Sequence, residues 1–155
     1  HQLDAAIAGA SNIVIGDRTL TSAELYGLLA MSVIVISSHR SEGFGLICAD
    51  VMRLGKPFIA IGWSGNLDFM TEMNSVLLPY TLIPVDDPDN VFNVHGQRWA
   101  DPDVEAAASW LKRLANDREL RQRLGAKAMS DIAGLLSPAR YAKIVQELLR
   151  EGERR

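Results

Sequence analysis

Cysteine is nearly absent from this 155-residue chain, with Cys48 standing alone. That excludes an intrachain disulfide framework and a cysteine-based zinc site. An excess of one charge is lacking too: 16 Lys/Arg face 19 Asp/Glu, a formal net charge of −3, which gives no reason to expect nucleic acid as a partner. No apolar run reaches the length of a transmembrane helix, and no signal-peptide pattern is read at the start. A reducing cytoplasm is the expected setting. There is no internal repeat, no low-complexity segment and no initiator methionine. The opening "HQLDAAIAGA" reads as the tail of a helix running into Gly9, so the expectation is a piece of a longer protein, truncated at its N-terminus. What is present is ordinary for a globular domain: 48% hydrophobic, 23% charged, and long enough for one domain (1–155) with a sizeable core. From Asp101 onward eleven Lys/Arg face nine Asp/Glu. That local balance of +2 reads as solvated helix surface, with a weak membrane-surface patch the lesser reading.

Strand-like and helix-like segments alternate along the chain. "NIVI" (12–15) is a short β-type run. In "LTSAELYGLLAM", Thr21 and Glu24 have capping-box spacing. "SVIVIS" is almost wholly apolar, the pattern of a strand buried on both faces. Leu46 to Leu54 reads as a helix stopped by Gly55, and "PFIAIG" as another buried strand with Pro57 at its start. "NLDFMTE" suits a short helix, and "SVLLPY" and "TLIPV" suit strands. A turn-rich stretch, "DDPDNVFNVHGQRW", then leads into a helical tail whose start signals are Asp101-Pro102, Asn116/Asp117 and Ser137-Pro138. Such alternation predicts an α/β, Rossmann-like parallel sheet with helices on both faces.

In such sheets ligands bind where strands end and helices begin. "SSHRSEGFGLICADVMRLGKP" (37–57) is such a junction. A helix N-terminus offers unpaired N–H groups and partial positive charge, which suits phosphate, and Gly43 and Gly45 leave those amides approachable. Glu42 and Asp50 would repel a phosphate, but an ionised carboxylate accepts two hydrogen bonds from neighbouring hydroxyls. One acid per sugar diol, with backbone amides for a diphosphate between, describes a nucleotide-sugar. Plainer readings stand beside this one. Asp50 could pair with Arg53 one turn on, Glu42 could be a partner of the helix dipole, and Asn66 could be an N-cap. His39 and Arg40 read as ordinary loop residues and Cys48 as a small core residue. Trp63, Trp99 and Trp110 read as packing residues, and "DDPDN" lacks the ligand spacing of a calcium loop.

"SEGFGLICADVMRLGKPFIAIGWSGN" resembles the donor-binding signature of the family-4 (group 1) retaining glycosyltransferases of the GT-B fold, a Glu-(x7)-Glu motif. Glu42 falls on its first acid, Gly43 to Leu46 match its "GFGL", and the "GKP-strand-GxSGN" continuation also matches. The similarity is tightest over 37–70 and extends loosely to the C-terminal helices. It implies the C-terminal, donor-binding half of a hexosyltransferase that uses a nucleotide-diphosphate sugar and a glycan or lipid-linked acceptor, as in polysaccharide biosynthesis. By position, Glu42 is the catalytic-site acid on the donor sugar, and Phe44, Gly45 and Leu46 offer amides to sugar and diphosphate. Gly43, Gly65 and Asn66 complete the donor site. Asp50 stands where the family has its ribose-binding glutamate, one methylene shorter. No metal and no cofactor is implied. The family's basic diphosphate pair is not visible before Glu42, and the acceptor domain is expected outside the chain. Peripheral membrane association of the full-length protein stays open. A non-catalytic nucleotide-binding module, or a sugar-nucleotide epimerase-like relative, is the alternative.

Overall fold

The computed structural model describes residue 7 and residues 9–152; the helix expected in the first residues lies largely outside them. The described elements are α1 (Ser22–Met31), β1 (Val35–Ser37), α2 (Leu46–Arg53), β2 (Phe58–Ile61), a 3-10 turn (Gly65–Asp68), β3 (Val76–Leu78), β4 (Tyr80–Pro84), β5 (Arg98–Pro102), α3 (Val104–Asn116), α4 (Arg118–Leu135) and α5 (Pro138–Gly152). β1, β2 and β3 pair in that order, all parallel, with Ile36 opposite Ile59 and Ile61 opposite Leu78. β4 and β5 form a separate antiparallel hairpin.

Side-chain alternation in β2 divides the core between the two faces of the sheet. Phe58 and Ala60 pack with Leu29 of α1, Val51 and Met52 of α2, and Ala128 and Ile132 of α4. Ile59 faces the other way, with Val76, Leu78, Leu114 of α3, and Leu120 and Leu124 of α4. The fold is therefore α/β, with helices on both faces of a parallel sheet. Every β2 residue is buried, and each large side chain there contributes about 1.5–3 kcal/mol. The Thr21–Glu24 capping box forms at α1: Thr21 N–H donates to Glu24 Oε2 at 2.8 Å, and Glu24 N–H to Thr21 Oγ1 at 3.3 Å.

Four expectations are corrected. "NIVI" forms no strand, and Ile13, Val14 and Ile15 are exposed. "SVIVIS" is reduced to three residues and is not buried on both faces, because β1 is an edge of the described sheet and Ile36 stays 40% exposed. Helical spacing predicts Ile47, Val51 and Leu54 as the apolar face of α2, but the buried side chains are Cys48, Ala49, Val51 and Met52, while Ile47 is exposed, so the stripe is rotated. Asp101 and Pro102 end β5 rather than opening a helix. The α3 cap is Asp103, whose Oδ1 accepts from Ala106 N–H at 2.9 Å. Proline is tolerated at a strand end and at a helix start for the same reason, that its missing N–H is not needed there, so the two uses look alike in sequence.

Candidate functional site

Neighbouring parallel strands send their next loops out at the same edge, and here the loops after β1 and β2 are joined. Ser64 Oγ accepts from Glu42 N–H at 2.9 Å and donates to the Glu42 carbonyl. Gly65 N–H donates to that same carbonyl at 3.0 Å. Ser64 holds φ at 85°, unusual for a residue with a Cβ, and its two bonds to Glu42 hold it there. Ser64 is the residue that sequence reasoning passed over. Its only signal was its place between Gly62 and Gly65 in the "GxSGN" continuation.

The latch fixes the backbone of Glu42, leaving its half-buried carboxylate side chain beside a cavity of about 660 Å3. The next residues turn directly into α2. Gly45 is its N-cap at φ 90°, with no side chain supplying a cap. The first backbone bond into the helix is Ala49 N–H to Gly45 C=O, 2.9 Å, which leaves the first-turn amides from Leu46 onward for another acceptor. An added Cβ at Gly43 would meet nothing within 4 Å, so the chain is open to a ligand there. Phe44 turns back, its ring 5.2 Å from that of Phe69. Leu46 is 72% exposed. Glu42 also makes itself felt inside the protein: burial first, then the nearby Glu42 charge, push the Cys48 thiol up to about 12.

The other expected site residues divide. Asp50 is half-buried on α2, and its carboxylate makes no hydrogen bond or ion pair among the described residues, with Arg53 or any other cation. It does not line the cavity beside Glu42. Gly65 belongs to the latch. Asn66 is fully buried, its Nδ2 donating to Ile61 C=O at 3.1 Å, and its Oδ1 has no partner. Any part it takes in binding runs through the loop that it holds. Among the described residues no three His, Cys, Asp or Glu side chains cluster as metal ligands would, and no helix is long and apolar enough to cross a membrane.

The far wall of the cavity is the β4–β5 hairpin. Ala100 N–H donates to Arg40 C=O at 2.9 Å, the Arg40 guanidinium lies 5.4 Å from the Trp99 ring centroid, and it reaches Asp101 at 3.7 Å. Trp63 packs on Tyr80 and Trp110 carries Arg113, so each tryptophan is engaged within the chain. The hairpin loop is organised by Asp87, which accepts from the amides of Phe92, Val91 and Asp89, while the Asn93 side chain bonds both to its N–H and to its C=O. The Phe92 amide above all holds the Asp87 carboxyl below its ordinary 3.8. A depressed folded-state pKa contributes stability above the unfolded value and loses it as pH falls through the folded one. The acid-induced shift of the Val91 and Phe92 amide resonances is therefore expected to have its midpoint below 3.8. In Asp87→Ala they are expected to be displaced at neutral pH. A midpoint at or above 3.8 in the wild type would show that Asp87 does not organise the loop.

The fold belongs to the open α/β class in which ligands sit at the carboxyl ends of parallel strands, and known structures of this shape exist. The chain superposes on HepE of Anabaena, solved with UDP and glucose, at TM-score 0.68 and 16% identity, covering 97% of this chain and 35% of HepE. The HepE complex with UDP-glucose gives TM-score 0.68 at 17% identity, with 97% and 36% covered. The sucrose-phosphate synthase of Thermosynechococcus elongatus gives TM-score 0.70 at 18% identity, with 97% and 32% covered. The chain thus spans about a third of the length of these proteins. No protein-family model matches it, and no curated protein does.

Proposed function

We propose that the chain is the donor-binding part of a family-4-type retaining glycosyltransferase, moving a hexose from a nucleotide-diphosphate sugar to a glycan or lipid-linked acceptor. One observation carries this reading: Glu42 is latched by its backbone beside a large cavity, directly before a helix N-terminus that no side chain caps. A carboxylate on a fixed backbone, next to free amides, suits a ligand with hydroxyls beside phosphate. Glu42 would accept from the sugar hydroxyls and so orient the reacting carbon. The α2 amides would take the charge that builds on the departing diphosphate. Asp50, lacking a protein partner, is the acid proposed for the ribose. One solved neighbour of the same fold, HepE, holds UDP and glucose in one complex and UDP-glucose in another, which supports the donor class. The reaction is proposed without metal, and in the cytoplasm.

The experiment is a titration of the chain and of Glu42→Ala with UDP-, GDP- and ADP-glucose and with the free nucleotides. Charge-assisted hydrogen bonds contribute about 1.5–3 kcal/mol, so the sugar nucleotide is expected to bind Glu42→Ala roughly 10- to 150-fold more weakly. The free nucleotide should be almost unaffected. Transfer itself needs an acceptor positioned over the donor and water excluded, so this chain alone is expected to bind weakly and transfer nothing. Nucleotide binding that is indifferent to both sugar and Glu42 would identify a non-catalytic nucleotide-binding module instead.

A further inference from the structure

The hairpin loop holds an apolar surface that folding does not explain. Its backbone is secured by polar contacts around Asp87, yet Val91, Phe92 and Val94 are each more than 60% exposed, and all three line the cavity. Glu42, Gln97 and Arg98 line the same cavity, and no ion-pair partner for Arg98 occurs among the described residues. The hairpin does not swing freely, because Arg40 ties it to the Glu42 loop through a backbone bond, a ring contact and an ion pair. A cavity of about 660 Å3 with one apolar wall and a few convergent polar groups has the build of a small-molecule site. A pyranose is the complementary ligand: its C–H face is apolar and its rim carries hydroxyls that need both an acceptor and donors.

We propose that the β4–β5 hairpin is the sugar-selecting wall of this site, with the hexose ring lying on Val91 and Phe92 and its hydroxyls shared between Glu42, Gln97 and Arg98. This rests on the donor-binding reading above and adds to it the element that chooses the sugar. The hairpin is part of the route by which the hexose differs from the bare nucleotide in affinity; the α2 amides serve the phosphates whichever sugar is attached. Arg40 is a positioning residue here, since its guanidinium is engaged by Trp99 and Asp101.

The test compares each free nucleotide (UDP, GDP, ADP) with its glucose conjugate, on wild type, Phe92→Ala and Arg98→Gln, by NMR titration of the chain. Phe92 and Arg98 are exposed, so both variants are expected to fold, and unchanged amide spectra away from the hairpin check this. Free-nucleotide affinity should not change, while the added affinity due to the sugar should fall about fivefold in Phe92→Ala and by a similar factor in Arg98→Gln. If that increment survives both substitutions but collapses in Glu42→Ala, the hairpin is not the selecting wall and the donor reading still stands. If Arg98→Gln weakens the free nucleotide as much as the conjugate, Arg98 serves phosphate and the proposal is overturned. If no pair binds the wild type, the donor reading fails and the proposal with it.

Discussion

Replacing Gly65 by alanine is expected to abolish measurable sugar-nucleotide binding and to lower the melting temperature by roughly 5–30 °C, at about 2–4 °C for each kcal/mol in a chain of this size. A Cβ on Gly65 would stand 1.8 Å from the Gly43 carbonyl oxygen, 2.6 Å from its carbon and 3.1 Å from the Glu42 carbonyl oxygen. These are main-chain atoms, so no rotamer change relieves the clash and the two loops must part. Parting them breaks the Gly65–Glu42 bond and the Ser64 contacts together. Overpacking costs typically about 1–3 kcal/mol and each lost hydrogen bond about 0.5–1.5 kcal/mol, which gives the stated range. The loss of binding follows because the latch sets the position of Glu42. Gly43→Ala is the matched control, since its Cβ would meet nothing within 4 Å and the melting temperature should hardly move. Thermal melts on the two variants and titrations against the wild type decide the matter: a Gly65→Ala protein that melts like Gly43→Ala and binds like the wild type would mean that the loops are not latched as described.

That contact also shows where sequence reasoning stops. The Glu42 loop and α2 were legible because strand, glycine-bracketed loop and helix are contiguous, and the capping box at Thr21 because its two halves lie three residues apart. β2 and β3 were legible as apolar runs. Which strand is central was not: "SVIVIS" and "PFIAIG" both read as apolar runs, and only pairing reveals that β2 has a neighbour on each side while β1 is an edge. β5 was missed because "RWADP" is a strand only against β4, with Trp99 opposite Ile83 and Pro102 opposite Tyr80. The reading of the site suffered in the same way. Glu42 could be picked out from its own segment, but Ser64 and Arg98 become site residues only through contacts over 22 residues or more of chain. The Asp50–Arg53 pair, a spacing argument, does not form, since α2 places no contact between them.

A second glycine should fail just as severely when substituted, but away from the site. Gly125 lies in the middle of α4, where alanine would ordinarily stabilise the helix by about 1 kcal/mol. Here alanine is expected to destabilise the protein instead, by about 2–4 kcal/mol. α4 crosses the end of α2 at this residue, and a Cβ on Gly125 would stand 2.0 Å from the Gly55 carbonyl oxygen and 2.9 Å from its carbon. Gly55 cannot move aside cheaply, because it closes α2 at φ +64° and its own N–H is bonded to Met52 C=O at 3.0 Å. The strain must then be relieved by lifting α4, which exposes Ala128 and Ile132 and opens space against Met52. Loss of packing on that scale costs a few kcal/mol even where the site partly collapses, and it outweighs the gain in helix propensity. The damage lies on the α2–α4 contact and leaves the Ser64–Glu42 latch alone, so Gly125→Ala should retain its sugar-nucleotide affinity below its lowered melting point. Urea denaturation with a parallel titration separates the two effects. Stability equal to or above that of the wild type would show that α4 does not approach Gly55 this closely, and a loss of affinity at full folding would show that the α2–α4 contact bears on the site after all.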